Sequence, residues 1–235
     1  MTVKQIMTEL ESMGSESIKK TLLRHGVREP LFGVKIGDMK PIQKKVKKDY
    51  QLAKELYATG NADAMYLAGL IADDEKMTKT DLQSWVEQAT SNNICDYTVP
   101  WVAAGSPHGR ELALKWIDSK EEHIAAAGWG TLSGLVALLP DSKLDLPGLK
   151  ALLARIVKDV HSAPNRVRYT MNAFVISVGG YVIPLTADAI ATAKKIAGVT
   201  VDMGDTACKL PNAAEYIQKI KDRGSLGKKK KMLKC

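Results

Sequence analysis

The chain has 235 residues, 45% of them hydrophobic and 26% charged, with a formal net charge of +8, a composition typical of globular proteins and a length that leaves ample chain for a buried core. The opening MTVKQIMTELESMG has no basic start followed by a long apolar run, and no stretch reaches the roughly 18 to 20 uncharged apolar residues of a membrane helix, so neither a secretory signal nor a membrane partner is expected. Cys95, Cys208 and Cys235 are odd in number and far apart, which suits a reducing cytoplasm better than a disulfide framework, and His25, His108, His123 and His161 fall in no zinc-ligating pattern, so no metal and no cofactor are expected.

Apolar residues recur at helical spacing almost throughout. In residues 41–57, Ile42, Val46, Leu52, Leu56 and Tyr57 form one stripe while Lys44, Lys45, Lys47, Lys48 and Lys54 lie largely off it, which predicts one helix with Pro41 in its first turn. Further helices are expected over about 62–72, 79–90, 94–104, 108–118, 121–139, 146–160, 165–179, 185–197 and 211–222, separated by breakers such as Gly60-Asn61, Ser106-Pro107 and Ala163-Pro164. Taken in pairs they recur about every 35 to 45 residues, the period of helical-repeat solenoids. The expected fold is therefore all-α, a solenoid of stacked antiparallel helix pairs with a concave inner face. The segment VTVDMGDTACK, residues 199–209, is the one place where a small β-hairpin is expected, turning at Gly204-Asp205. One domain is expected over residues 1–222, with 223–235 a basic, flexible tail.

The positive surplus is concentrated in two segments. Residues 35–48 carry six Lys against Asp38, and residues 219–235 carry seven Lys and Arg223 against Asp222. These contribute +5 and +7, leaving −4 for the remainder of a chain whose total is +8. Clustered cations gain free energy by displacing counterions from phosphates, so Lys40, Lys44, Lys45, Lys47 and Lys48 are candidate contacts for a polyanion. A solvated helix face and a disordered tail would carry the same charges.

Few motifs point to chemistry. GSLGKKKK, residues 224–231, resembles a phosphate loop only superficially, because the spacing between its glycines and the residue after its lysine are wrong. Ser133, Cys95 and Cys208 have no His placed by local sequence to activate them. Asp96, in SNNICDYTVPWVAAG, lies among Cys95, Tyr97, Val99 and Trp101; there it is either the N-cap of the helix that follows or a carboxylate poised for use. Arg166 and Arg168, in APNRVRYTMNAFVISVGGY, are open to three readings: contact with phosphates, pairing with Asp96, or pairing with solvated acids.

The segment PLFGVKIGDMKPIQKKVKK, followed by AKELYATGNADAMYLAGLIA and then DYTVPWVAAG, resembles the HEAT-like repeat alkylpurine DNA glycosylases of DNA alkylation repair, and the likeness runs to about residue 197. The resemblance implies a HEAT-like solenoid whose basic concave face cradles duplex DNA, and an Asp that stabilises the cationic deoxyribose formed as an alkylated purine leaves. Asp96, four residues before Pro100, matches the catalytic Asp of the family's Trp-Asp-x-x-Asp-x-x-x-Pro pattern. The earlier pair of that pattern falls on Asn92 and Asn93; the family's Arg would fall near Gly128 and its later Trp near Ala173, with Trp129 the neighbouring substitute. The resemblance thus implies a divergent member with an incomplete catalytic set.

Three functions remain. The first is a cytoplasmic, nucleoid-associated protein that binds duplex or branched DNA through Lys40, Lys44, Lys45, Lys47, Lys48, Arg166 and Arg168, with base excision weak or lost. The second is an active glycosylase excising N3- or N7-alkylated purines with Asp96. The third is a helical-repeat scaffold for protein partners, whose identity the sequence does not reveal.

Overall fold

The computed structural model describes residues 1–234. Among them are thirteen α-helices and no strand. In chain order they are α1 (Val3–Ser12), α2 (Glu16–Arg24), α3 (Ile36–Val46), α4 (Tyr50–Tyr57), α5 (Ala62–Ile71), α6 (Lys79–Gln88), α7 (Val99–Gly105), α8 (Gly109–Trp116), α9 (Glu122–Leu138), α10 (Leu146–Asp159), α11 (Asn165–Tyr181), α12 (Thr186–Lys195) and α13 (Ala213–Asp222). A π-helical turn, Ile94–Thr98, runs straight into α7.

Sequence explains which helices go inside. All ten residues of α5 are buried, as are most of α9; a helix apolar on every side must be covered on every side. Helices α5, α7, α9 and α11 form this inner row, each against the next, with α4 packed on α5 and α8 on α9. Small residues let the row close up. A Cβ on Gly69 of α5 would lie 2.4 Å from Thr98 Cγ2, and one on Gly128 of α9 would lie 2.7 Å from the Ile117 nitrogen, so both positions are filled by neighbouring structure. Large side chains occupy the spaces between rows: Tyr57 stacks on Trp85 at 4.0 Å and donates its hydroxyl to the Trp85 carbonyl, while Trp129 meets Phe174 edge-on at 5.4 Å.

Four local expectations are revised. Residues 41–57 form two helices, because the chain reverses at Lys47, whose φ is 63°, and Asp49 then caps α4 by accepting from the Leu52 N–H at 3.0 Å. Pro41 consequently falls inside α3, which begins at Ile36, rather than in its first turn. Helices α1 and α2 precede all the expected ones, α1 closed by a capping box between Thr2 and Gln5. The expected hairpin is absent: residues 199–211 carry no strand, and their polar backbone bonds instead to side chains, the Asp202 N–H to Asn165 Oδ1 (2.7 Å), the Asp202 carbonyl to Asn165 Nδ2 (2.8 Å) and the Gly204 N–H to Asp202 Oδ1 (2.8 Å).

The segment after Arg223, expected to be a flexible appendage, is laid along the body as a strap. The Gly227 N–H donates to the Gly180 carbonyl and the Lys230 N–H to the Ala137 carbonyl, both at 2.8 Å. Lys229 Nζ donates to the Val136 carbonyl at 2.8 Å and pairs with Asp141. Lys234 Nζ donates to the Ala72 carbonyl at 2.8 Å and to Asp74 Oδ1 at 2.6 Å. Leu233 sits over Gly134, where a Cβ would come within 2.7 Å of its Cδ1. The strap thus visits the C-terminal ends of α11, α9 and α5 in turn. Those ends carry carbonyls without helical partners and the negative pole of each helix, which is what N–H and ammonium groups satisfy.

Candidate functional site

Asp96 lies in the π-helical turn, at the N-terminal side of the inner row, and its side chain is 1% exposed. It caps nothing. Its Oδ2 is paired with the guanidinium of Arg166, and its Oδ1 accepts from Cys95 Sγ at 3.3 Å. Arg166 opens α11, where its backbone N–H donates to Glu122 Oε1 of α9 at 2.6 Å. Its guanidinium also lies 4.3 Å from the ring centroid of Tyr169, a cation–π contact. Tyr169 is bonded in turn to Tyr97, hydroxyl to hydroxyl at 3.0 Å. Burial pushes the Cys95 thiol up to about 12, so at neutral pH it is a donor and not a nucleophile. Burial also pulls Arg166 below its ordinary value, yet a guanidinium remains charged at any physiological pH.

The arrangement therefore holds a fixed negative charge against a fixed positive one, walled by two tyrosines. Aromatic side chains continue across the same face: Trp101, one turn after Tyr97, packs 6.0 Å from it and meets Tyr66 edge-on at 5.7 Å. Tyr97 is 42% exposed.

The pattern around Asp96 is explained by what replaces it. Asn92 donates its side-chain amide to the His25 carbonyl at 3.1 Å, and a Cβ on Gly26 would touch that amide, so an aromatic at this position would displace the turn after α2. Asn93 keeps its Oδ1 buried without a partner. Near Gly128 no cation would fit, since that position is packed on Ile117. The cation comes instead from Arg166, 70 residues beyond Asp96. Trp129 is fully buried against Phe174, so it is not an aromatic wall for Asp96; Tyr97, its neighbour in sequence, and Tyr169, which no local signal marks, take that place.

Lys40, Lys44, Lys45, Lys47 and Lys48 are all exposed, on α3 and the turn after it. Lys48 lies 3.9 Å from Asp73; among the described residues the other four have no ion pair. Arg168 also has none among the described residues, and its buried Nε lacks a partner. Arg166, by contrast, is committed to Asp96. Among the described residues no three His, Cys, Asp or Glu side chains converge as metal ligands, and no single helix is long and apolar enough to cross a membrane.

A further anchor was not anticipated. Asp63, at the start of α5, accepts from the backbone N–H groups of Phe32, Gly33 and Val34 at 2.6, 3.0 and 3.1 Å. It fixes the PLFGV turn that delivers α3 and its lysines to the body. Asn61 caps the same helix, accepting from the N–H groups of Asp63 and Ala64. An Asn followed two residues later by Asp, just after Gly60, is the local signal for such a helix start.

The all-α stack of helix pairs is the architecture of a HEAT-like repeat protein. The chain belongs to the DNA alkylation repair enzyme family, whose sequence profile matches residues 6–217. It is 32% identical over 228 residues to the uncharacterized protein Lin0241 of Listeria innocua and 30% identical over 228 residues to the uncharacterized protein Lmo0209 of Listeria monocytogenes, in each case over 95% of this chain and 99% of the relative. A solved structure superposes with a TM-score of 0.92 at 39% identity over 100% of both chains; it is described as a new family of proteins related to the HEAT-like repeat DNA glycosylases with affinity for branched DNA structures.

Proposed function

We propose that this protein binds duplex or branched DNA along the face lined by α3 and the inner row, and that base excision is weak or lost. The observation that carries this reading is the sealing of Asp96: with its side chain 1% exposed, one oxygen on Arg166 and the other on Cys95, no edge of the carboxylate is presented to a deoxyribose or a water. A carboxylate stabilises a developing cation only if it is aimed at where the charge forms, and a guanidinium already occupies that direction. The binding half is supported by the affinity for branched DNA described for the solved relative and by the exposed Lys40, Lys44, Lys45, Lys47 and Lys48 with the unpaired Arg168. Six such phosphate contacts give a slope of about −5 in log K against log salt. The protein would work in the cytoplasm, on the nucleoid when DNA-bound.

One observation favours a second reading. Arg166 supplies beside Asp96 the cation that the glycosylase pattern requires, so a site that opens on binding would still hold carboxylate, guanidinium and aromatic walls together. Two measurements separate the readings: electrophoretic or anisotropy titration of blunt duplex, fork and four-way junction, and a release assay on DNA carrying N3- or N7-alkylated purines. Salt-sensitive binding without base release, even at enzyme excess, supports the first; release abolished by Asp96→Asn supports the second; salt-independent binding removes both.

A further inference from the structure

We propose that the cleft between α3, α7 and the C-terminal strap is a nucleotide site that takes an unpaired nucleotide of a branched DNA, its base against Trp101 and its phosphates on Lys47, Lys48 and Lys231. The proposal rests on the DNA-binding reading and states what in a branch is recognised. The cleft has a volume of about 460 Å³, within the range of small-molecule sites. Trp101 and Leu70 give it apolar walls, and Met232 and Leu233 of the strap close the other side. Its cations are Lys47, Lys48 and Lys231, all exposed. Asp74, the acid among its lining residues, is taken by Lys234 at 2.6 Å, so the free charge facing the cleft is positive.

An aromatic floor with cations beside it is the arrangement that holds single-stranded nucleic acid, because every base has a face to stack and every link has a phosphate. Trp101 is held for that purpose before any ligand arrives: Tyr66 meets it edge-on and Tyr97 is tilted against it. Lys47 holds φ at 63°, an uncommon conformation for a lysine, and it does so at the rim of the cleft. A blunt duplex offers only stacked, paired bases, so the cleft discriminates for forks and junctions, whose strands part. The strap is a wall of the site rather than an occupant, since Leu233 is seated over Gly134 and Lys234 over Ala72.

Intrinsic fluorescence gives a direct test. Of the four tryptophans, Trp85, Trp116 and Trp129 are 3%, 1% and 0% exposed, so contact quenching by a bound base reports Trp101. The expected result is that (dT)8 and a fork with a dT arm quench the emission and shield it from iodide, while a blunt duplex of the same length binds without either effect. Trp101→Leu lowers affinity for the fork by roughly 5- to 100-fold, the range of one lost stacked base, and leaves blunt-duplex affinity within twofold, while Lys231→Ala, which also removes a general phosphate attraction, lowers affinity for the fork more than for the blunt duplex. Lys231→Ala touches no buried group, so it tests the site even if the tryptophan variant misfolds. A fork that binds without quenching, or variants that weaken fork and duplex equally, overturns the cleft assignment alone. Wild-type protein that binds no DNA at all overturns the DNA reading with it.

Discussion

Removing the Arg166 side chain tests the central contact of the site. Arg166→Ala leaves Asp96 ionised, 1% exposed, and deprived of its cation, with Cys95 its one remaining side-chain partner. Breaking a buried pair by deleting one partner costs about 3 to 5 kcal/mol, because a charge is stranded in low dielectric. Arg166 is itself 15% exposed at its side chain, which lets water approach and favours the lower end; the lost contact with Tyr169 adds a fraction of a kcal/mol or more. A loss of about 3 kcal/mol corresponds to roughly 6 to 12 °C in melting temperature for a chain of this size. Urea and thermal melts at pH 7.5 measure it. The sign with pH follows from the stranded carboxyl: unpaired and buried, it is easier to protonate folded than unfolded, so the penalty is full above its raised folded value and shrinks as pH falls through that value towards the unfolded one. The double variant Asp96→Asn/Arg166→Ala removes the charge and loses less than the single one. An Arg166→Ala protein within 1 kcal/mol of wild type, or a double variant less stable than the single, would refute the pairing as a buried ion pair.

Other consequences follow from the remaining anchors. Burial raises the Asp81 carboxyl, but hydrogen bonds from Lys54, Thr78 and Tyr50 outweigh it and hold the group at about 2; a depressed acid stabilises the fold above its unfolded value of 3.8 and loses that as pH falls towards 2. Asp81→Asn therefore costs about 2 kcal/mol at pH 7 in urea melts, and the gap to wild type closes on acidification. Asp63→Ala strands the N–H groups of Phe32, Gly33 and Val34, for a loss of about 3 kcal/mol in the same assay; a loss under 1 kcal/mol contradicts the anchor. Lys44→Glu/Lys45→Glu leaves stability within about 0.5 kcal/mol but abolishes DNA binding at moderate salt and flattens the salt slope by about 2, read by anisotropy.

Periodicity made the helix pairs visible because burial imposes it directly: Leu52, Leu56 and Tyr57 must share a face for α4 to pack. The break between α3 and α4 left no such mark. Lys47, Lys48 and Asp49 are not breakers by type, and only the backbone reversal at Lys47 reveals the boundary. The partner of Asp96 was one of three readings for Arg166 and could not be chosen locally, since it lies 70 residues away. The strap was illegible for the same reason: KKKK reads as solvated charge, and the groups that order it are 93 residues distant for Lys229 and 160 for Lys234. Contacts within a turn or two can be read from a sequence; contacts between repeats need the stack.

That distance also explains why the strap is basic. Inner helices that run side by side in the same direction place their positive poles at one rim and their negative poles at the other, each worth about half a charge. At the N-terminal rim the poles are met by acids, Asp63 on α5, Asp96 before α7 and Glu122 on α9. At the C-terminal rim a bare row of carbonyls would repel a phosphate backbone. Lys229 and Lys234 bond to those carbonyls and spend their own charge there, while Lys228, Lys230 and Lys231 stay exposed. The same short run of lysines thus cancels the negative pole and leaves a positive surface over it, beside Lys47 and Lys48. A chain that sums to −4 outside its two basic segments thus has Lys47 and Lys48 of one segment beside Lys231 of the other at that rim, which is the charge distribution the proposed DNA-binding face requires.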